Sequence, residues 1–320
     1  MIRYEFMDTG IKEEDLHPDN IYSKEKQLSK NFVQGLKKSK EIQPCPVCGM
    51  NRDEVLLQKW GFLYAICPRT WTVSLASLPE KEVVSEYYYN SELSHFRASQ
   101  HYQNLVMEKR KDLWERQLGW MEGRISRYLG NDKYQVIDWG GKFVGWIESL
   151  DTASFVNKLY LIDSLPPIQD DGGGGGPVDI VCLMDVLQRE LNTFDLLKRI
   201  AQKINHGGLL IGSCRAGSGF DILTLRENAE SVFPLDHIFL PSPQGMEYLL
   251  AQTGFELLEI TTPGLMDMKY VKNAGENIPL DQYFLRYIIA NGDELLLERM
   301  QGFLQRNNLS SHLRFVARKR

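Results

Sequence analysis

Hydrophobic and polar positions along the 320 residues change period near residue 134. Beyond that point short apolar runs alternate with amphipathic stretches. Residues 134–138, 158–163, 178–184, 209–214 and 255–261 read as strands, and 312–318 as a last one. Between them, 143–150 predicts a short helix. A longer helix spans 191–204, where Leu191, Phe194, Leu197, Ile200, Ala201 and Ile204 fall on one face and Gly207-Gly208 reads as the stop. Ser242-Pro243 opens a further helix with a capping residue and a proline in the first turn, and Gly254 closes it. The β-α-β spacing predicts a parallel sheet buried on both faces by helices.

Upstream the pattern differs. Residues 80–129 lack proline and set Leu113, Leu118, Met121, Ile125 and Leu129 at helical intervals, so they predict helices. Residues 60–66 read as a short strand leading into Cys67. Residues 1–40 are charged, with no clean period. The expected division is an arm over 1–40, a small cysteine-containing module over 41–78, a helical linker over 79–130, and a Rossmann-like α/β domain over 131–320 with a helical insertion at about 265–310.

Charge narrows the class of partner. The 42 acidic and 37 basic residues leave a formal charge of −5, with no chain-wide positive field for a nucleic acid or an anionic membrane. A small-molecule substrate fits better. No run approaches the ~18 apolar residues of a membrane span, and the N-terminus lacks the apolar run of a signal peptide, so the expectation is a cytoplasmic protein. The five cysteines make no disulfide framework; Cys45, Cys48 and Cys67 cluster as metal ligands do, whereas Cys182 and Cys214 lie in apolar runs. The run Gly172 to Gly176, ended by Pro177, predicts a loop with no phosphate-binding role, because no helix starts there.

Candidate chemistry sits at the ends of the first two strands of the α/β region. In a nucleotide-type unit the loop after the first strand lets backbone amides approach the ligand, and an acid ending the second strand accepts from ribose hydroxyls. Asp138, Gly140 and Gly141 occupy the loop, and Asp163, 25 residues beyond Asp138, occupies the acid position or caps a turn. Met184 and Asp185 end the strand over 178–184, where open parallel sheets bind ligands.

On these residues the chain resembles class I S-adenosylmethionine-dependent methyltransferases of bacterial type that carry an N-terminal zinc-ribbon-like cysteine module. The resemblance runs through Cys45-Pro46-Val47-Cys48-Gly49, the strand and loop from Val136 to Gly145, the segment from Phe194 to Leu210, and Gly217-Ser218-Gly219-Phe220-Asp221. It continues in His237-Ile238, Gly254-Phe255-Glu256, Thr262-Pro263-Gly264 and the tail from Phe303 to His312. It implies S-adenosylmethionine as cofactor and a small acceptor such as a sugar or glycan precursor. It implies a cofactor site at Asp138, Gly140, Gly141, Lys142, Asp163, Met184 and Asp185. His237 would lie beside the substrate as a general base, or else be a buried imidazole bonded to a carbonyl. His206 reads as a helix-end residue.

The chain also departs from that pattern. Lys142 and Val144 stand where the family has its second and third glycines, and Gln188-Arg189 stand where it has a Glu-His pair. Lys142 either reaches the methionine carboxylate or is a solvated lysine. These departures keep open a second reading, a catalytically degenerate relative that binds a partner protein. Relatives close the metal site with a second Cys-x-x-Cys, of which Cys67-Pro68-Arg69-Thr70 retains only the first thiol. Cys45, Cys48 and Cys67 then bind zinc with His95, His101 or water as fourth ligand, or form a metal-free core.

Overall fold

The computed structural model describes residues 19–141, 143–162 and 176–320. The first element among the described residues is helix α1 (Asp19–Gln34), within the segment where the sequence predicts an arm without period. A hairpin follows, β1 (Val55–Lys59) and β2 (Phe62–Ile66), then β3 (Val73–Leu75). The expected strand over 60–66 therefore begins later: Trp60 and Gly61 both have positive φ and form the turn. Three helices succeed it, α2 (Lys81–Tyr89), α3 (Glu92–Ala98) and the 29-residue α4 (Gln100–Tyr128). Ser91 and Ser99 cap the last two, each side chain accepting from an N–H of the first turn.

The α/β region contains β4 (Tyr134–Trp139), α5 (Val144–Asp151), β5 (Val156–Ile162), β6 (Val178–Met184), α6 (Thr193–Lys203) and β7 (Ile204–Arg215). It continues with α7 (Phe220–Leu225), the two-residue β8 (Phe239–Leu240), α8 (Pro243–Gln252) and β9 (Phe255–Thr261). Helices α9 (Asp267–Ala274), α10 (Tyr283–Asn291) and α11 (Glu294–Arg306) precede β10 (His312–Lys319).

The main sheet has the order β5-β4-β6-β7-β10-β9, parallel over β5-β4-β6-β7, with β10 antiparallel to both its neighbours. Alternate residues of one strand serve opposite cores. Ile137, Val181, Leu183 and Leu210 pack with α6 and α8. Val136, Ile180, Cys182 and Ile211 face Trp114, Met121, Trp146 and Leu150 of α4 and α5. A sheet buried on both sides explains why its strands read as nearly continuous apolar runs. The fold is the expected Rossmann-like α/β class.

One expected boundary is corrected. Helix α6 ends at Lys203, and Gly207-Gly208, expected as its stop, lies within β7. The β6-β7 register slips there, from Val178 opposite Ile204 to Ile180 opposite Leu209. A Cβ on Gly208 would meet the Asp179 carbonyl oxygen at 2.6 Å, so glycine permits this close approach. His206 is accordingly an exposed strand residue rather than a helix end.

The small sheet has the order β1-β2-β3-β8, and its fourth strand comes from the α/β region. Leu75 N–H donates to the Ile238 carbonyl at 2.9 Å, and Ile238 N–H to the Gln188 carbonyl at 2.6 Å, so Ile238 links β3 to the turn after β6. This linkage fixes the neighbouring His237.

Candidate functional site

A cavity of about 650 Å³ opens at the carboxyl ends of β4 and β6, between the sheet and a cover formed by α1, α2, α3 and the first half or so of α4. Its wall includes Asp138, Gly140, Gly141, Met184, Asp185 and His237, so six of the predicted site residues meet in one cleft. Lys142 and Asp163, the other two expected there, lie outside the described residues. The volume suits a cofactor-sized ligand.

Asp138 is the last residue but one of β4 and is 1% exposed. Its Oδ1 accepts from the Trp146 indole N–H at 3.2 Å, while Oδ2 has no hydrogen-bond partner among the described residues. Burial raises the carboxyl to about 6, against the opposing pull of Trp146, Arg189 and the Gly141 N–H. Gly140 needs its identity for φ +81°, and its N–H donates to the Ile162 carbonyl at 2.7 Å, clamping the loop to β5. Gly141 needs its identity for space: a Cβ there would run into the Asp138 carboxylate.

Arg189 departs from the Glu-His pair of the resembled family, and its placement gives the substitution a role. The side chain is buried, and Nη2 donates to the Gly140 carbonyl at 2.7 Å from beneath the loop. A cation thus braces the first loop from the segment after β6.

At the end of β6, Met184 Sδ accepts from Gln117 Nε2 at 2.8 Å. Asp185 takes φ +55°, a region a non-glycine residue occupies at some cost, and its exposed carboxylate accepts from Ser213 Oγ at 3.2 Å. His237 lies opposite. Its Nδ1 accepts from the Phe233 N–H at 2.9 Å, and its carbonyl accepts from the Tyr64 hydroxyl at 2.8 Å. Burial, with Arg215 adding to it, lowers the imidazole to about 3. With the Nδ1 lone pair engaged and the ring neutral, the remaining proton is on Nε2. His237 therefore enters the cleft as a hydrogen-bond donor, a geometry unsuited to the expected base. The expected alternative, bonding to a carbonyl, is replaced by bonding to a backbone N–H.

The cover contains a polar network that sequence reasoning missed. Arg97 donates to both Asp236 oxygens at 3.1 and 3.0 Å and to Glu25 at 2.7 Å. Tyr87 donates to Asp236 Oδ2 at 2.7 Å, and Tyr88 to Oδ1 at 3.1 Å. Although burial opposes ionisation, Arg97, with smaller help from His237 and the Tyr87 phenol, holds Asp236 down to about 2. The network joins α1, α2, α3 and the segment before β8 across the mouth of the cleft. Its only sequence sign is the tyrosine-rich run at 87–89.

Away from the cleft, the sulfur atoms of Cys45, Cys48 and Cys67 all lie within 4.8 Å of one another. Cys48 and Cys67 Sγ are 3.6 Å apart, close to the separation of roughly 3.8 Å that 2.3 Å Zn–S bonds impose on a tetrahedron. Backbone N–H groups of Val47 and Thr70 point at Cys45 and Cys67 Sγ at 3.4 Å. Thr70 Oγ1 is 3.7 Å from Cys45 Sγ, at the corner where a fourth cysteine is missing. Neither His95 nor His101 joins the group, which corrects their expected place as fourth ligand.

No protein-family model matches the chain, and no curated protein does. Among solved structures it is similar to geranyl diphosphate C-methyltransferase from Streptomyces coelicolor A3(2), at 10% identity over 76% of this chain and 99% of that one, TM-score 0.44. It is also similar to the plantazolicin methyltransferase BamL, at 13% identity over 75% and 95% of the two chains, TM-score 0.43. At such identities the chemistry of the cleft has to come from its own residues.

Proposed function

We propose that the protein is an S-adenosylmethionine-dependent methyltransferase acting on a small molecule. The observation that carries this reading is the Asp138-Gly140-Gly141 corner: a buried carboxylate with one unpartnered oxygen, beneath a backbone cradle that a Cβ would fill. That corner fits a ligand with an ammonium group and an extended body, and the end of β6 supplies the opposite wall at Met184. When bound, the cofactor supplies an electrophilic methyl group on sulfur.

The protein's own part is to hold and align. Asp138 and the Gly140-Gly141 backbone orient the amino-acid end, with Arg189 bracing the loop. His237 donates from Nε2 to an acceptor oxygen and positions it. Asp185, exposed at the strand end with Oδ1 held by Ser213, takes the proton that an acceptor loses. The half-buried rings of Tyr22 and Tyr88 in the wall, their hydroxyls already bonded to the Glu230 carbonyl and to Asp236, suit a sugar-class acceptor by stacking. The thiols of Cys45, Cys48 and Cys67, with water beside Thr70, hold a structural zinc ion.

Calorimetric titration with S-adenosylhomocysteine tests the assignment. Saturable one-to-one binding, abolished by Gly141→Ala, is expected. Absence of heat and of thermal stabilisation at millimolar ligand would leave the second reading, a degenerate relative in which Arg189 permanently fills the loop's needs.

A further inference from the structure

Beside the cleft lies a second chamber of about 190 Å³ that shares a wall with it, Arg110, Gln117, Asp185, Gln188, Arg215 and Tyr270 among the residues that line both. Its floor is the end of the main sheet. Arg314 projects there from β10, at a position whose backbone is paired on both sides, to Ser213 and to Thr261, so the side chain is held by a rigid element.

Arg314 is an unusual guanidinium. It is 4% exposed, its Nε has no hydrogen-bond partner, and its described contact is the face of Trp120 at 5.1 Å. Arginine is almost never buried this way unless paired. Arg110 enters the same chamber from α4 over the Phe143 ring at 5.2 Å, with no carboxylate in ion-pair range among the described residues. Arg215 completes the set, donating to Ser311 Oγ at 3.3 Å. Asp185 is the lone carboxylate of the lining, and His312 carries no charge at neutral pH because burial lowers it to about 4. Arg215 is also answered by the carboxylates of Asp221 and Asp267 outside the lining, so the positive charge left for a bound group is that of Arg314 and Arg110, with Asp185 the one lining carboxylate facing them.

We propose that this chamber binds an oxyanion, a phosphate or carboxylate carried by the methyl acceptor, through Arg314, Arg110 and Arg215. The planar guanidinium fork suits either group. The assignment of that anion to the acceptor rests on the methyltransferase reading; the anion site itself does not. An acidic group seated there extends through the shared wall toward Asp185 and His237, so the rest of the acceptor lies in the main cleft. The sequence gives no hint of this, since three arginines at 110, 215 and 314 belong to no motif and meet only in the fold.

The test uses inorganic phosphate, and acetate in parallel, with the full chain and no cofactor present. Thermal stabilisation that saturates with phosphate is expected, with acetate distinguishing a carboxylate site if it alone saturates. Arg314→Met, which keeps the stem against Trp120, should lose at least tenfold in affinity for the effective ion while folding as well as the parent. Should that variant fail to fold, Arg110→Met at the chamber mouth should still weaken binding several-fold. No saturation by either ion, or equal saturation in both variants, overturns the proposal and marks any response as an adventitious ion only. S-adenosylhomocysteine titrated separately keeps the two readings apart: it can fail while Arg314-dependent anion binding stands, and the reverse.

Discussion

Arg189 Nη2 donates to the Gly140 carbonyl across 49 positions of sequence, placing a buried cation under the loop that should carry a neutral, glycine-lined turn. Replacing Arg189 with Met leaves that carbonyl without its partner. A buried acceptor so stranded costs ~1–3 kcal/mol. Denaturant unfolding should show a loss in that range, and S-adenosylhomocysteine should bind several-fold more weakly. A variant equal to the parent in both would remove the bracing role.

The two loop glycines should respond differently to one added methyl. Gly140→Ala forces φ +81° on an L residue, which costs ~1–2 kcal/mol of stability. Gly141→Ala meets the Asp138 carboxylate instead and displaces it, so ligand affinity should fall further than stability does. Thermal unfolding and calorimetry on the pair separate these effects. Identical profiles for both would contradict the distinction.

Asp138 predicts the pH dependence of cofactor binding. Its carboxyl, ordinarily near 3.8, is raised to about 6 in the free protein, and an ammonium partner prefers the ionised form. Affinity for S-adenosylhomocysteine should therefore rise as pH increases from 5 to 7. Asp138→Asn should bind weakly and without that dependence. For stability the sign is reversed, because a raised carboxyl favours the folded state below 3.8 and loses that contribution as pH climbs through about 6.

The cysteine group makes a separate prediction. Purified protein should carry zinc at about one ion per chain, and Cys48→Ser should lower the content. Chelation should also lower the unfolding temperature, since β3 carries the hydrogen bond to Ile238 that supports His237. A parent protein free of zinc, and indifferent to chelator, would make the three thiols a packed, metal-free cluster.

Much of the main sheet was legible because its strands are buried on both faces, and the order of apolar runs survives that burial intact. The segment over 255–261 coincides with β9, and 312–318 falls one residue short of β10. What was not legible depends on distant partners. Helix α1 has no clean period of its own; Tyr22 stacks on Phe233 at 5.6 Å, and Lys26 pairs with Glu230 at 2.5 Å, more than 200 positions away. Asp236 and Arg97 are 139 positions apart, and neither stands in a motif. The sharp turn at Gly140 was readable because φ +81° requires that residue type. The chemistry of His237 was not, because its tautomer is set by the Phe233 N–H.

That tautomer has a measurable consequence. An unfolded histidine titrates near 6.5, whereas His237 in the folded chain is lowered to about 3. A depressed group contributes stability above its unfolded value and loses it as pH falls toward the folded one. His312, lowered to about 4, acts in the same direction, while Asp138 and Asp221, each raised to about 6, act oppositely over part of the window. The parent's own acid profile thus mixes opposing contributions. Comparison with His237→Asn isolates one of them, since the Asn oxygen can accept from the Phe233 N–H but does not titrate. The stability advantage of the parent over this variant should shrink steadily between pH 7 and 4, measured by urea unfolding at each pH. An advantage that stays constant across that range would mean that His237 titrates in the folded chain as it does in the unfolded one, near 6.5, and would remove the buried neutral imidazole on which the Nε2 donor role rests.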